Sequence, residues 1–117
     1  MTITVYGIKN CNTMKKAFTW LDDHNITYTF HDYKKLGADK DVLIRAIDEH
    51  GWGTVINRKG MTWRALPDDI KNVMDQSNAI DIALEKPSII KRPLLSVGNK
   101  TYVGFTDDMY EEILNKA

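Results

Sequence analysis

The sequence predicts a single α/β domain in which a β-α-β unit, a helical insertion and a β-β-α unit follow one another along 117 residues. Three observations carry this. An extended run at Ile3, Val5 and Tyr6 gives way to apolar residues at helical spacing, Met14, Ala17, Phe18 and Leu21. The middle of the chain is dominated by helical patterns. Near the end, Leu94-Leu95-Ser96-Val97, the turn Gly98-Asn99 and Thr101-Tyr102-Val103 read as a hairpin.

Taken in order, Gly7 to Asn10 supply a turn, and a helix is expected from about Asn12 to His24. Residues 26–31 alternate Ile26, Tyr28 and Phe30 with Thr27, Thr29 and His31, as a second strand would. Strand, helix and strand within about thirty residues make a right-handed crossover with the strands parallel. The insertion, about residues 38–87, opens with an amphipathic segment at Val42, Leu43, Ala46 and Ile47, capped by Asp39 or Asp41 and stopped near Gly51. WGTVINRKGMTWRAL reads as irregular. Pro67 and Asp68-Asp69 start a helix carrying Ile70, Val73 and Met74; Ser77 or Asn78 caps a third, which ends at Pro87. Thr106 caps the last helix, where Met109 and Ile113, and Tyr110 and Leu114, form i, i+4 pairs. This order is that of a thioredoxin-like domain with a four-stranded mixed sheet and a helical insertion between the second and third strands, one of several α/β arrangements the pattern admits.

Composition narrows the function. Lysine plus arginine and aspartate plus glutamate number 16 each, so the net charge is zero and no dense basic face offers counterion release to nucleic acid. Hydrophobic residues at 43% and charged residues at 27% are ordinary for a globular domain. No leader-like segment and no membrane-length apolar run is present, so a cytoplasmic protein without membrane contact is expected. A single cysteine, unable to form an intramolecular disulfide, agrees with a reducing compartment.

That cysteine is the candidate nucleophile. Cys11 falls at the first turn of the first helix, where free backbone N–H groups and the helix dipole favour a thiolate. Lys9 and Lys15 add positive potential, and Asn10 or Asn12 can donate to sulfur. A structural cysteine would sit more naturally inside the apolar stripe. Met14 occupies the place of the second sulfur of a dithiol reductase, so the resolving thiol must come from outside. His24, His31 and His50 are far apart and lack companions at ligand spacing, so no metal site is expected. Trp20, Trp52 and Trp63 read as core or lid residues, and no phosphate-binding glycine loop is present.

The segments YGIKNCNTMKKA, INRKG, TWRAL and PSIIKRPLL, in this order and spacing, resemble the arsenate reductase (ArsC)-related family, most closely its YffB-type glutathione-dependent thiol reductases and more distantly the Spx-type regulators. The resemblance runs over essentially the whole chain. It implies a thioredoxin-like fold with a helical insertion, Cys11 as nucleophile, and Arg58 and Arg92 as ligands of an anionic substrate; an arginine fork meets a carboxylate or oxyanion with two hydrogen bonds. It implies a cis proline at Pro93 beside the thiol. Arg64, in TWRAL, is divided between anion contact and a structural ion pair, and Lys9 and Asn10 complete the expected substrate-binding set.

Two departures bear on substrate. Arsenate reductases of this pattern carry a histidine four residues before the nucleophile, here Gly7, and a third arginine after the hairpin, here Gly104. The expectation is therefore an oxidoreductase, monomeric and without a tightly bound cofactor, whose single cysteine cycles with glutathione or glutaredoxin on a small oxyanion or disulfide. The alternatives are an arsenate reductase and a non-enzymatic, Spx-like interaction module. Those regulators often carry a C-x-x-C pair, which Cys11-Asn12-Thr13-Met14 cannot make.

Overall fold

Val5 and Tyr6 are buried because the strand that carries them is central. In the computed structural model, which describes residues 2–115, β1 (Ile3–Gly7) lies between β2 (Thr29–Asp32) and β3 (Leu94–Val97), with β4 (Lys100–Val103) outside β3. β1 runs parallel to β2, with Tyr6 opposite His31, and antiparallel to β3, with Val5 opposite Leu95. β3 and β4 form the expected hairpin, Ser96 opposite Thr101. The strand order β2-β1-β3-β4 and these directions are those of a thioredoxin-like fold.

Two compact units divide the chain. The first joins the residues up to Asp32 with those from Arg92 onward and contains the sheet; the second is Tyr33–Lys91. In the sheet unit, α1 (Asn12–Asp23) buries Met14, Ala17, Trp20 and Leu21 against Val5, Leu95, Val97 and Tyr110. Phe18 sits at the margin of this core, stacked on Tyr28 and edge-on to Phe30. β2 is shorter than its alternation suggests. Ile26 and Tyr28 pack on the core as a strand face would, yet pairing with β1 begins only at Thr29, because Ile26 N–H still closes the helix end on the Leu21 carbonyl and Asn25 turns the chain at φ 56°. Thr106 caps α8 (Asp107–Tyr110) by accepting from Met109 N–H at 3.1 Å, and the helix widens into a π turn over Glu111–Asn115. Tyr110 is fully buried among Trp20 and Phe105; its hydroxyl finds no partner among the described residues, and burial raises its pKa well above the usual phenol range.

The second unit is helical. After α2 (Tyr33–Leu36), α3 (Lys40–His50) starts where Asp39 accepts from Val42 N–H and ends at Gly51, and buries Val42, Leu43, Ala46 and Ile47 as expected. Three readings of the insertion need correction. The stretch from Trp52 to Leu66 is not irregular throughout: it contains single-turn helices α4 (Trp52–Val55) and α5 (Met61–Arg64). The helix after Pro67 is the single turn α6 (Asp68–Lys71), with no buried residue, and Val73 lies beyond it, exposed. The cap of α7 (Gln76–Glu85) is Asp75, which accepts from Asn78 N–H at 2.8 Å, and not Ser77 or Asn78. A 3-10 turn, Pro87–Ile89, leads out. Trp20 belongs to the core, whereas Trp52 and Trp63 stack on each other within the insertion, centroids 6.2 Å apart. Among the described residues no helix is long and apolar enough to cross a membrane.

Candidate functional site

The antiparallel pairing of β1 with β3 places two loops side by side. Tyr6 near the end of β1 faces Leu94 at the start of β3, so the turn that follows Gly7 lies beside the segment that precedes Leu94. The first segment leads into Cys11 and the second contains Arg92 and Pro93. Arg92-Pro93 is the cis peptide that the family resemblance implies; Pro93 is buried and its carbonyl accepts from Gly104 N–H at 2.9 Å.

Cys11 is the N-cap of α1, in extended conformation (φ −144°, ψ 128°), half-buried, with its carbonyl accepting the first helical bond from Lys15 N–H at 3.0 Å. The neutral thiol makes no capping hydrogen bond. Its ionised form is favoured nonetheless. Partial burial pushes the thiol pKa up, but the backbone N–H groups of Met14 and Thr13 and the Arg92 guanidinium, which attracts and can donate to the sulfur, outweigh it and hold the pKa below the usual thiol value. The cation that acts on Cys11 is thus Arg92; Lys9 and Asn10, both exposed, are not among the groups that shift it.

The floor of this site was not visible in the pattern of residues. Gly7 is buried, and a Cβ built on it would lie 2.6 Å from Met14 Sδ, 2.8 Å from Met14 Cε and 3.6 Å from Arg92 Cγ. Met14 itself is fully buried. Its thioether fills the space that a side chain at position 7 would need, so the two residues that depart from the dithiol and histidine patterns are neighbours, and Met14 sets what position 7 can hold. Their spacing of seven residues, strand end to helix, is the only signal the sequence holds for this contact.

The other two candidate arginines belong to the insertion unit. Arg58 is exposed and lies over the Trp52 ring, 5.4 Å from guanidinium carbon to centroid, in a cation–π contact. Arg64 is exposed, and its Nη2 donates to the Lys59 carbonyl at 2.6 Å. Among the described residues no cluster of histidine, cysteine or carboxylate side chains could hold a metal ion.

The chain matches the ArsC family over residues 6–113. It is similar to a solved structure named YFFB protein, with 51% identity, a TM-score of 0.93, and coverage of 97% of this chain and 99% of that one. It is likewise similar to an arsenate reductase (ArsC) related protein from Brucella melitensis, at 47% identity, TM-score 0.76, covering 100% and 97%. The global transcriptional regulator Spx of Streptococcus pyogenes serotype M3 is a more distant relative, 23% identical over 116 residues, 97% of this chain and 86% of its own.

Proposed function

The chain belongs to the ArsC family, and from that premise we propose that it is a cytoplasmic, monomeric thiol reductase in which Cys11 is the nucleophile and glutathione, or a glutaredoxin charged by it, supplies the second thiol. The observation that supports this reading is the pairing of a half-buried thiol at a helix start with Arg92, which together favour the thiolate. With Met14 at the resolving position, no intramolecular disulfide can form. The Cys11 thiolate attacks one sulfur of a disulfide substrate; the S–S bond breaks, a mixed disulfide forms on Cys11 and a thiolate leaves. A glutathione thiolate then attacks the mixed disulfide, restores the Cys11 thiolate and carries away the substrate half. Arg92 steadies the sulfur anion at the start and end of this cycle and offers its fork to a carboxylate of the bound thiol. Arg58, Arg64, Lys9 and Asn10 are proposed as further contacts to an anionic substrate.

Arsenate is the less suited substrate. A side chain at position 7 would press on the buried end of Met14, so the histidine of the arsenate pattern could be placed here only if Met14 repacked. The test is intact-protein mass spectrometry. Oxidised glutathione should add one glutathione to Cys11, reduced glutathione should remove it, and Cys11→Ser should take up none. Absence of an adduct under conditions that modify a free peptide cysteine would rule this function out, and rapid glutathione-coupled arsenate turnover would replace it with arsenate reduction.

A further inference from the structure

Four large apolar side chains are strongly exposed among the described residues: Leu36 at 68%, Met61 at 85%, Ile70 at 38% and Val73 at 64%. Single exposed apolar residues are ordinary; contiguous ones rimmed by charge mark interaction surfaces. Three of these four are gathered on one face of the insertion unit. Met61 and Ile70 border a hollow of about 640 Å³, which Ile82 also lines. Ile70 and Val73 border a second, of about 400 Å³. The hollows adjoin, since Ile70, Ile82 and Glu85 line both. α6, which carries Ile70, buries none of its residues, so its apolar side is not absorbed by the core of the unit.

The charge lining the two hollows is mostly acidic. The smaller hollow is lined by Asp69, Asp81 and Glu85 and by no lysine or arginine; the larger adds a single Lys86 beside Glu85. Two adjoining open hollows of this size have room for several apolar side chains along one side of a helix, as residues i, i+3, i+4 and i+7 present them. A second copy docked through the same face would set these carboxylates against themselves, because a two-fold interface repeats each patch opposite its own image. We propose that this face of the insertion docks a basic amphipathic helix of another protein, whose apolar side chains enter the two hollows while its lysines or arginines meet Asp69, Asp81 and Glu85. The inference is independent of the thiol chemistry, and it adds a protein ligand to a chain whose sheet unit handles small thiols.

The probe is a fluorescein-labelled peptide of about 18 residues, five helical turns, with leucine at i, i+3, i+4 and i+7 and lysine on the flanks. Its anisotropy is followed on titration with the full chain. Binding is expected, weakened roughly tenfold or more by Val73→Asp or Ile70→Asp. Asp81→Lys with Glu85→Lys should weaken it similarly and should create binding to the version of the peptide with glutamate in place of lysine. These positions are exposed, and unchanged helical circular dichroism and melting temperature verify that each variant is folded. The proposal is overturned if no peptide binds at millimolar protein, or if the scrambled or glutamate peptide binds the natural chain equally well. It is also overturned if sedimentation shows a dimer that Val73→Asp dissociates, since a second copy then covers the face.

Discussion

Cys11 is held below the ordinary thiol value by the Met14 and Thr13 N–H groups first and by the Arg92 guanidinium after them, and Arg92 is the one of these that a substitution can remove. The rate of alkylation against pH should therefore give a midpoint below the ordinary thiol value of about 8.5, and Arg92→Ala should move it upward. Lysine at the same place should restore part of the shift, since the charge returns but the fork does not. The same group couples pH to stability with a definite sign. Its folded-state pKa is depressed, so its contribution is complete above the unfolded-chain value and disappears as pH falls through the folded one. Compared with Cys11→Ala, the natural chain should gain stability as pH rises across that window in chemical denaturation. Gly7 and Met14 are a separate matter of volume. The terminal atoms of Met14 could give way to a methyl group if they were free, but they are fully enclosed. Gly7→Ala should thus cost about 1–3 kcal/mol by overpacking. Met14→Ala in the same chain should relieve much of it, so denaturation of the two single variants and the double should reveal coupling rather than additivity. At Gly104, the φ of 86° penalises any side chain before function is considered. Gly104→Arg, attractive from the sequence as a way to install a third arginine, is expected to lower stability first.

At the scale of elements, legibility followed how local the cause of each one is. α1, α3 and the hairpin were readable because their apolar spacing and stop or turn residues lie within the segment itself. Thr106 was readable as a cap for the same reason, and the cap of α3 was narrowed to Asp39 or Asp41, of which the fold uses Asp39. Asp75 was not, because Ser77 and Asn78 offered equally good side chains; in the fold Asn78 is the residue being capped, and its own amide donates to the Val73 carbonyl at 3.0 Å. Asp75→Ala should cost about 1 kcal/mol in denaturation, whereas Ser77→Ala should remain within about 0.5 kcal/mol of the natural chain. α4 and the segment after it are held from a distance: Ile56 bridges Ile90, Asn57 N–H donates to the Ile89 carbonyl and Lys91 N–H to the Val55 carbonyl, each at 2.8 Å. Periodicity within residues 52–66 cannot announce partners some thirty residues later. The site divides the same way. Cys11 at a helix start and Pro93 as cis were legible, one from local pattern and one from family resemblance; the meeting of Gly7 with Met14 required the fold.

Across the whole chain, the two units differ in how their residues are distributed along the sequence. The insertion is one continuous stretch, Tyr33–Lys91, and its buried residues, among them Leu43, Ile47, Val55, Ala79, Ala83 and Ile89, all lie inside it. The sheet unit is assembled from both ends: Val5, Met14 and Leu21 from the first segment, Leu95, Val97 and Tyr110 from the last. Its central strand, β1, lacks an antiparallel neighbour until residues 94–97 exist, and the β1–β2 pair alone buries one face of α1 against nothing complete. A chain ending at Lys91 should therefore keep helical circular dichroism from the insertion while its first 32 residues exchange amide hydrogens like an unfolded peptide. A fragment of residues 33–91, at about 60 residues, is near the lower limit for independent folding, so its helical signal should melt at a lower temperature than that of the full chain. In the truncated chain Cys11 loses both Arg92 and the folded start of α1, and its alkylation midpoint should return to the ordinary thiol value. If the truncated chain instead retained a depressed midpoint, the low pKa would have to arise from the first segment alone, through the Met14 and Thr13 N–H groups at the start of α1, and Arg92 would lose its role.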